Sequence, residues 1–558
     1  MDYNKYYKKT KVKSERKIER VNNIDVKESI SIDKTIYILL VIALVIIPLF
    51  IKAHITEFIS PKLTFLSTGM QADIFSYYKY TFLIILTIIV AVLFVYKLLF
   101  LQYNISKRKS NLFLGILAVV VTLSAIFSPY KSVALHGMFN RHEGAITFIC
   151  YLTLFFVAAN TKYSIKQMHG LLYCLYPFVI INMILGIAIL KGKNLIDIDW
   201  IHNFILGSIP EGAQISEGAK IWATVSNPNF ISGIGAVLTV LFLTWAIFDQ
   251  NKVRAGINVV VAAMSMSMIF TSLSTSGFLT IIVLLPVVFI LIFFNERKVK
   301  PFVVLLAFVI LATSIFIPLA NKDPRVWNET FGFVIKENPF VKLQAEDNSN
   351  KNNNTAQMDT VSDVNLRKGV FKKGLSDIFL PSKAYADGNS NANDTNKFEI
   401  PTLPASSSSA GSGRAYIWEK TIETAMKRPI LGYGLDTFVY VFPQNDINKV
   451  TGLGTHNIIV DKPHNIYLAL LMGSGIFALL AFVTLVGAVL FMGVKAVLKR
   501  HITQQENAVM FALLTASIAY LVQGMFNDFV IGATVIFWIL LGVLVSILHQ
   551  ATSSKKTF

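Results

Sequence analysis

Residues 461–494 read DKPHNIYLALLMGSGIFALLAFVTLVGAVLFMGV and pass from polar to apolar sequence within a few positions. The apolar run 469–494 is long enough to cross a membrane, because a transmembrane helix needs about 17–25 mostly apolar residues. His464 and Asn465 lie just before this run, where a helix would begin. The stretch therefore predicts a membrane-spanning helix with a polar site at one end.

Further apolar runs of similar length predict an all-α polytopic membrane protein with about twelve transmembrane helices. The composition supports this class, since 54% of the 558 residues are hydrophobic, only 15% are charged and the mean hydropathy is +0.56. The predicted spans lie at about 35–52, 80–101, 111–128, 144–160, 169–190, 230–248, 256–272, 277–295, 301–320, 469–494, 508–526 and 530–549.

The runs 256–272 and 277–295 are separated by only a few residues and could form one bent element. Basic residues flank the pair on both sides, and basic residues concentrate on the cytoplasmic side of membranes. Both outer ends of the pair are then cytoplasmic, which requires an even number of crossings. The charge pattern therefore favours two separate spans.

The same bias of Lys and Arg predicts a multi-pass protein of the plasma membrane with both termini in the cytoplasm. A large extracytoplasmic loop precedes the tenth span in this topology. The predicted segments are a cytoplasmic basic tail 1–34, a membrane core of nine spans 35–320, the large loop 321–466, a core of three spans 467–549 and a cytoplasmic tail 550–558.

The large loop divides into two parts of different composition. Residues 341–410 are rich in Asn, Ser, Asp and Lys, and such a sequence buries too little apolar surface to order itself. Residues 411–466 carry aromatic and apolar residues, so we expect an ordered cap over the outer face of the membrane.

Charge and cysteine content argue against a nucleic-acid-binding protein and against a fold built on disulfides or a cysteine metal site. The formal net charge is +18, but the basic residues crowd the N-terminal tail and the short turns, so we expect no nucleic-acid partner. Cys150 and Cys174 both lie within apolar runs and form neither a disulfide framework nor a metal site. We expect no metal and no cofactor.

Several motifs resemble the O-antigen ligase and polymerase family of membrane glycosyltransferases, which use glycans linked to a lipid diphosphate. The similarity extends over most of the chain from about residue 111 onward. The matching segments are SPYKSVALHGMFNRHEGAITF at 128–148, TVSNPNFISG at 224–233, GRAYIW at 413–418, RPILGYGLDTF at 428–438, DKPHNIYL at 461–468 and QGMFNDFVIGATVIFWILLG at 523–542.

The resemblance implies a metal-independent, inverting enzyme that transfers or polymerises a glycan from an undecaprenyl-diphosphate donor. The acceptor would be a hydroxyl group of a glycan, a lipid or a protein at the outer face, and membrane lipids would surround the enzyme. One runner-up class is a transporter or flippase for a lipid-linked glycan, and another is a sensor or scaffold. A transporter favours ionisable residues in mid-span and two pseudo-symmetric halves, whereas these spans carry few charges.

His464 and Arg414 are the candidate catalytic residues. A histidine has a pKa near neutral pH and can therefore deprotonate an acceptor hydroxyl. An arginine binds phosphate oxygens with two parallel hydrogen bonds. His464 matches the family's catalytic histidine, and Arg414 matches its loop arginine. The alternative is that His464 only caps the helix that follows it, and that Arg414 is a surface residue. A helix N-terminus at 464 would favour the neutral imidazole.

Arg141 is the second candidate for holding the diphosphate, because arginine is unexpected on the outer side of a membrane and this one also matches a family position. Many family members have an arginine near the start of the eighth span, where this chain has Ser274-Thr275-Ser276-Gly277. Because of this departure, we expect binding of the phosphates to depend more on Arg141. The remaining predicted substrate contacts are Lys131, Lys220, Lys462, Asn465 and Trp418, and Asn465 and Asp461 are also possible caps of the tenth span.

Overall fold

A computed structural model provides the fold. It describes residues 27–59, 69–103, 105, 108–207, 209–210, 213–215, 221, 223–292, 299–332, 334–341, 413–453, 457–499 and 504–553. Almost all of the predicted disordered segment 341–410 lies outside the described residues, and so do Lys220 and most of the basic tail.

The described residues form mainly α-helices, which confirms the predicted all-α fold class. The first group of helices is α1 Lys27–Leu49, α2 Tyr77–Phe100, α3 Lys109–Ile126, α4 Lys131–His136, α5 Ala145–Asn160, α6 Ile165–Tyr173, α7 Tyr176–Leu190 and α8 Asp199–Leu206. The second group is α9 Pro228–Phe248, α10 Lys252–Ser272, α11 Thr275–Ile292, α12 Val299–Lys322 and α13 Arg325–Asn328. The third group is α14 Arg414–Ala425, α15 Phe438–Val441, α16 Lys449–Leu453, α17 Ile466–Lys499, α18 Gln504–Gln523 and α19 Ile531–Ser553.

Within the described residues, each of the twelve predicted spans overlaps at least one helix. Within the described residues, nine helical segments are long and apolar enough to cross a membrane, and α3, α5 and the apolar part of α18 are shorter apolar helices. α6 and α7 together form one such segment, Ile165–Leu190. α1 begins at Lys27, inside the predicted tail, so the helix starts earlier than its apolar run. Leu273 adopts a left-handed conformation between α10 and α11, which makes these two helices rather than one bent element.

α9 is the central helix of the bundle. Its apolar window is wholly buried, and its neighbours include α10, α11 and α18. Asn227 caps it by accepting a hydrogen bond from the amide of Asn229, and Pro228 occupies its first turn, a position that proline favours. α2 and α12 are mostly exposed and present their apolar faces outward, as helices in contact with lipid do.

Contacts between connecting segments fall into two sets at the two ends of the bundle. At the site end, the loop after α4 contacts residues 461–465. Those residues in turn contact the turn between α18 and α19. The far end joins α1 to α2 through Lys97 and Asp33, and the turn before α10 to the start of α12 through Asp249 and Lys300. α17 begins at the site end, because it starts directly after residues 461–465.

A small sheet lies at the site end, and the sequence prediction missed it. Its strands are β1 His54–Phe58, β2 Gly69–Asp73 and β3 Gln214–Ile215. β2 is central, pairing antiparallel with β1 and parallel with β3. Asp73 ends β2 and accepts hydrogen bonds from the amides of Phe75, Ser76 and Tyr77, which fixes the turn into α2.

The cap formed by α14–α16 is held to the membrane core by a break in α17. Gly475 has φ 79°, and a Cβ there would lie 2.1 Å from the carbonyl oxygen of Ile430. Only glycine allows this combination of conformation and close approach. The freed backbone of α17 pairs with the segment after α14, since the amides of Tyr433 and Gly434 donate to the carbonyls of Met472 and Gly473.

Candidate active site

His464 and Asp528 form the centre of the site. Nδ1 of His464 lies 2.8 Å from Oδ2 of Asp528, although the two residues are 64 positions apart in sequence. The backbone brings them together, because the amide of Ile466 donates to the carbonyl of Gly524 and so joins the start of α17 to the turn before α19. Asp528 is 5% exposed and His464 is 35% exposed, so the imidazole remains accessible from one side.

The two groups shift each other's pKa values in opposite directions. Burial alone would lower the pKa of His464, but the charge and hydrogen bond of Asp528 outweigh it and raise the pKa above its usual value. Burial raises the pKa of Asp528, and the neighbouring His464 outweighs it in turn and lowers that pKa. The expectation that the helix N-terminus favours neutral imidazole is therefore wrong, because the carboxylate at short range dominates.

Asn465 and Trp418 fix the backbone on either side of His464. The side-chain oxygen of Asn465 accepts from the amides of Tyr467 and Leu468, so Asn465 caps α17. Nε1 of Trp418 donates to the carbonyl of Pro463 at 2.8 Å. Their polar atoms are engaged within the protein, which favours positioning of His464 over contact with substrate. His464 itself does not need to cap the helix.

Arg414 begins α14 and is half-buried beside this pair. Burial lowers the pKa of its guanidinium and the Asp528 carboxylate raises it, which places the two charges within electrostatic reach. Among the described residues Arg414 makes no hydrogen bond or ion pair. An arginine remains charged near neutral pH, so it can bind an anion here.

Arg141 has two carboxylate partners. Its Nε lies 3.0 Å from Asp436 and its Nη1 lies 2.6 Å from Asp461, and its side chain is only 6% exposed. Asp436 also accepts from the amide of Met138. Asp461 therefore binds Arg141 rather than capping α17. The two carboxylates neutralise the charge that Arg141 would offer to a diphosphate.

Glu143 is an acidic residue that sequence reasoning did not select. The Tyr151 hydroxyl donates to its carboxyl group at 3.1 Å. Burial, with a smaller contribution from Asp436, raises the pKa of Glu143 to about 8 against the opposing effects of Lys462 and Arg141. Glu143 is therefore mostly protonated at neutral pH and adds little negative charge to the site.

Open space lies beside Asp528. A cavity that we call the central cleft has about 510 Å³ of space, solvent included. Glu143, Asp436, Asp461, Lys462 and Asp528 are among its lining residues. The apolar side chains of Leu435, Phe438, Met472 and Phe529 complete the lining. The cleft thus combines charges with an apolar wall, as expected of a site for an amphipathic ligand.

The predicted lysines have different placements. Lys462 lines the central cleft, and its ammonium group lies 5.1 Å from the centre of the Phe230 ring. Lys131 is exposed at the start of α4 and does not line the central cleft. Lys220 lies outside the described residues. Of the three, the structure brings Lys462 to the site.

The loop before α5 is unusually tight where it positions Arg141 and Glu143. Gly137 has φ 85°, and a Cβ there would lie 2.4 Å from the amide nitrogen of Glu143. His142 also has positive φ, as do Asp436 and His464. Such conformations are uncommon for residues other than glycine and cluster at functional sites.

Asp528, Asp436 and Glu143 are the site residues that sequence reasoning missed. A usable signal existed for Asp528, since it is a carboxylate in a short turn between two apolar helices. Within the described residues, no group of three or more His, Cys, Asp or Glu side chains is arranged to hold a metal ion.

Comparison with known proteins agrees with the resemblance seen in the motifs. The family model described as O-Antigen ligase matches residues 259–483. No curated protein matches the chain. The matched range runs from α10 into α17 and includes Arg414 and His464, whereas Arg141 and Asp528 lie outside it. Residues 259–483 of this multi-pass membrane protein are therefore similar to the O-antigen ligase family.

Proposed function

We propose that this protein transfers or polymerises a glycan from an undecaprenyl-diphosphate donor onto an acceptor hydroxyl at the outer face of the plasma membrane. The observation that carries the proposal is the His464–Asp528 pair, 2.8 Å apart, with Arg414 within electrostatic reach of Asp528, which lines the central cleft. This arrangement combines a base with a cation, which is what glycosyl transfer from a diphosphate requires.

His464 acts as the general base in this proposal. Asp528 on Nδ1 orients the ring and leaves Nε2 to take the proton of the acceptor hydroxyl. The hydroxyl oxygen bonds to the sugar carbon as the bond from that carbon to the diphosphate oxygen breaks. A single displacement inverts the configuration at the sugar carbon. The raised pKa makes His464 a stronger base, but only the neutral form can accept the proton.

Arg414 and Lys462 stabilise the departing diphosphate in this proposal, since neither makes an ion pair with a carboxylate among the described residues. Arg141 holds Asp436 and Asp461 and so shapes the cleft. Protonated Glu143 supports binding of the donor, because a carboxylate there would repel the phosphates. The reaction needs no metal or cofactor in this scheme, and full turnover in excess chelator is the expected result.

The topology that accompanies the proposal places the site end outside and both termini in the cytoplasm. Ile447, 71% exposed at the site end, and Val253, 73% exposed at the far end, are suitable reporters. In a chain with Cys150 and Cys174 replaced by serine, Ile447→Cys should react with an impermeant thiol reagent in intact cells. Val253→Cys should react only after the cells are opened. The reverse pattern would contradict the topology.

A transporter of lipid-linked glycans is the competing function. The purified full-length chain in detergent, supplied with a lipid-diphosphate-linked glycan and its acceptor, separates the two. The enzyme releases free lipid diphosphate and forms a larger glycoconjugate, whereas a transporter leaves the donor intact. Release of lipid diphosphate that depends on the acceptor would support the proposal, and an intact donor in a folded preparation would refute it.

A further inference from the structure

Three apolar side chains are exposed along α14 and the segment after it, and we propose that they insert into the membrane leaflet at the site end. We call Ile422, Met426 and Ile430 the cap ridge. Met426 is 63% exposed, Ile430 is 60% exposed, and Ile422 is exposed as well. The inference concerns a lipid surface and does not depend on the reaction proposed above.

α14 buries one face and exposes the other. Ile417, Thr421 and Ala425 are buried. Ile422 and Met426 are four positions apart and share the exposed face. The water-facing side of a helix is normally polar, and a group of large exposed apolar side chains marks an interaction surface. The cap ridge therefore needs a covering partner.

Hydrogen bonds hold the segment that carries Ile430 against two membrane helices. Nη2 of Arg428 donates to the carbonyl of Phe127, directly after α3, at 3.3 Å. The amide of Ile476 in α17 donates to the carbonyl of Pro429 at 2.8 Å. Phe127 and the residue after Ile476, Phe477, are themselves exposed. The cap ridge thus continues the apolar faces that α3 and α17 present outward.

The lengths of these two helices place the membrane boundary at the same level. α17 is broken at Gly475, and the part after the break, 476–499, is long enough to span by itself, since a transmembrane helix needs about 20 residues. α3 has only 18 residues, so its end before Phe127 also marks the boundary. The hydroxyl of Ser124 donates to the carbonyl of Gly473 at 2.7 Å, which holds the two boundaries side by side.

The polar neighbours of the cap ridge suit lipid headgroups. Lys427 is exposed, and the Arg428 guanidinium lies 5.3 Å from the centre of the Tyr433 ring. Cations on long apolar stems and tyrosine rings concentrate at the boundary between membrane and water, where the cations reach phosphate oxygens. Glu423, the nearby acidic residue, is paired with Lys420 at 2.9 Å. A lipid leaflet explains both the apolar ridge and its level, whereas a second copy of the chain explains only the apolar ridge.

The test measures which medium surrounds the ridge. The full-length chain with Cys150 and Cys174 replaced by serine carries Met426→Cys, labelled with nitrobenzoxadiazole, in phosphatidylcholine nanodiscs. An interfacial helix buries its apolar face about 5–10 Å deep, so we expect lipid brominated on its acyl chains to quench this label about threefold or more above the control. Aqueous iodide should quench the control more strongly. Ile422→Cys should repeat the result of Met426→Cys.

Ile447→Cys is the matched control, because Ile447 is an exposed apolar residue of the same cap. Its neighbour Asp446 accepts a hydrogen bond from Tyr416 in the first turn of α14, at the opposite end from the ridge. Stronger quenching of the label at 426 by iodide than by brominated lipid would place the ridge in water and overturn the proposal. Protection from both quenchers would show that protein covers the ridge, and equal profiles at 426 and 447 would remove the distinction between them. Both results would also overturn it.

Discussion

Cations at the two ends of the bundle have different partners, apart from Arg141, which is ion-paired at the site end as the far-end cations are. At the far end Lys97 lies 2.6 Å from Asp33 and 3.8 Å from the centre of the Tyr103 ring. Arg254 at that end binds both carboxylate oxygens of Asp249. At the site end Arg414 makes no ion pair among the described residues, and Lys462 faces the central cleft.

The difference separates structural cations from cations available to a ligand. A buried charge is costly unless it is paired, so the closed pairs of the far end fix the helices and leave no charge for a substrate. The site end keeps positive charge beside an open cleft and adds His464, whose partner Asp528 is almost fully buried. Matched substitutions at the two ends should therefore differ in their effects on turnover and on stability.

The largest effect is expected for His464→Asn, with His169→Asn as the far-end control. Loss of a general base typically lowers the rate about 10²–10⁴-fold. His169 is buried against Trp245 and contacts Arg254, so its replacement should lower the free energy of unfolding and leave turnover per folded molecule unchanged. Rates normalised to folded protein measure both. Wild-type turnover in His464→Asn would show that this histidine only supports the structure.

The next effect compares Arg414→Lys with Arg254→Lys. Lysine keeps the charge but loses the paired hydrogen bonds, each worth about 1.5–3 kcal/mol when charged. We expect Arg414→Lys to lower kcat/KM for the donor by about 10- to 100-fold, since about 1.4 kcal/mol corresponds to a factor of ten. Arg254→Lys should reduce thermal stability without changing the donor KM. Equal kinetic losses in both variants would remove the distinction between the two ends.

A smaller effect concerns the protonation of Glu143. Burial raises its pKa to about 8, so the carboxyl group gains a negative charge as the pH rises through that value. Donor use should then fall, by about tenfold per pH unit for a single ionisation. Glu143→Gln cannot ionise and should keep near-wild-type activity at pH 7 and lose less activity at pH 9. Parallel profiles for the variant and the wild type would exclude Glu143 as the source of the alkaline loss.

The length of the apolar runs made most of the fold predictable. Each of the twelve apolar runs overlaps a helix within the described residues, because a hydrophobic stretch of that length has few alternatives in a membrane. The sheet was missed because β1, HITEF, and β2, GMQAD, each have only five residues and no sustained alternation of polar and apolar residues. Short strands depend on their partners rather than on local sequence.

The candidate site was only partly predictable for a related reason. His464 stood out because it precedes a long apolar run, whereas its partner Asp528 lies 64 residues away in a different turn. Arg141 was predicted to hold the diphosphate, but Asp436 and Asp461 reach it from segments distant in sequence. Pairing between such segments follows from how the helices pack, and periodicity within one segment does not reveal it.

The pH dependence of kcat in Asp528→Asn tests the central claim most directly, namely that His464 held by Asp528 takes the acceptor proton. In the wild type, activity is lost as the pH falls through the raised pKa of His464, because the protonated ring cannot act as a base. Removing the carboxylate leaves burial to lower that pKa. We therefore predict a reduced kcat whose acid limb moves to lower pH. An acid limb that stays at the wild-type pH would contradict the account.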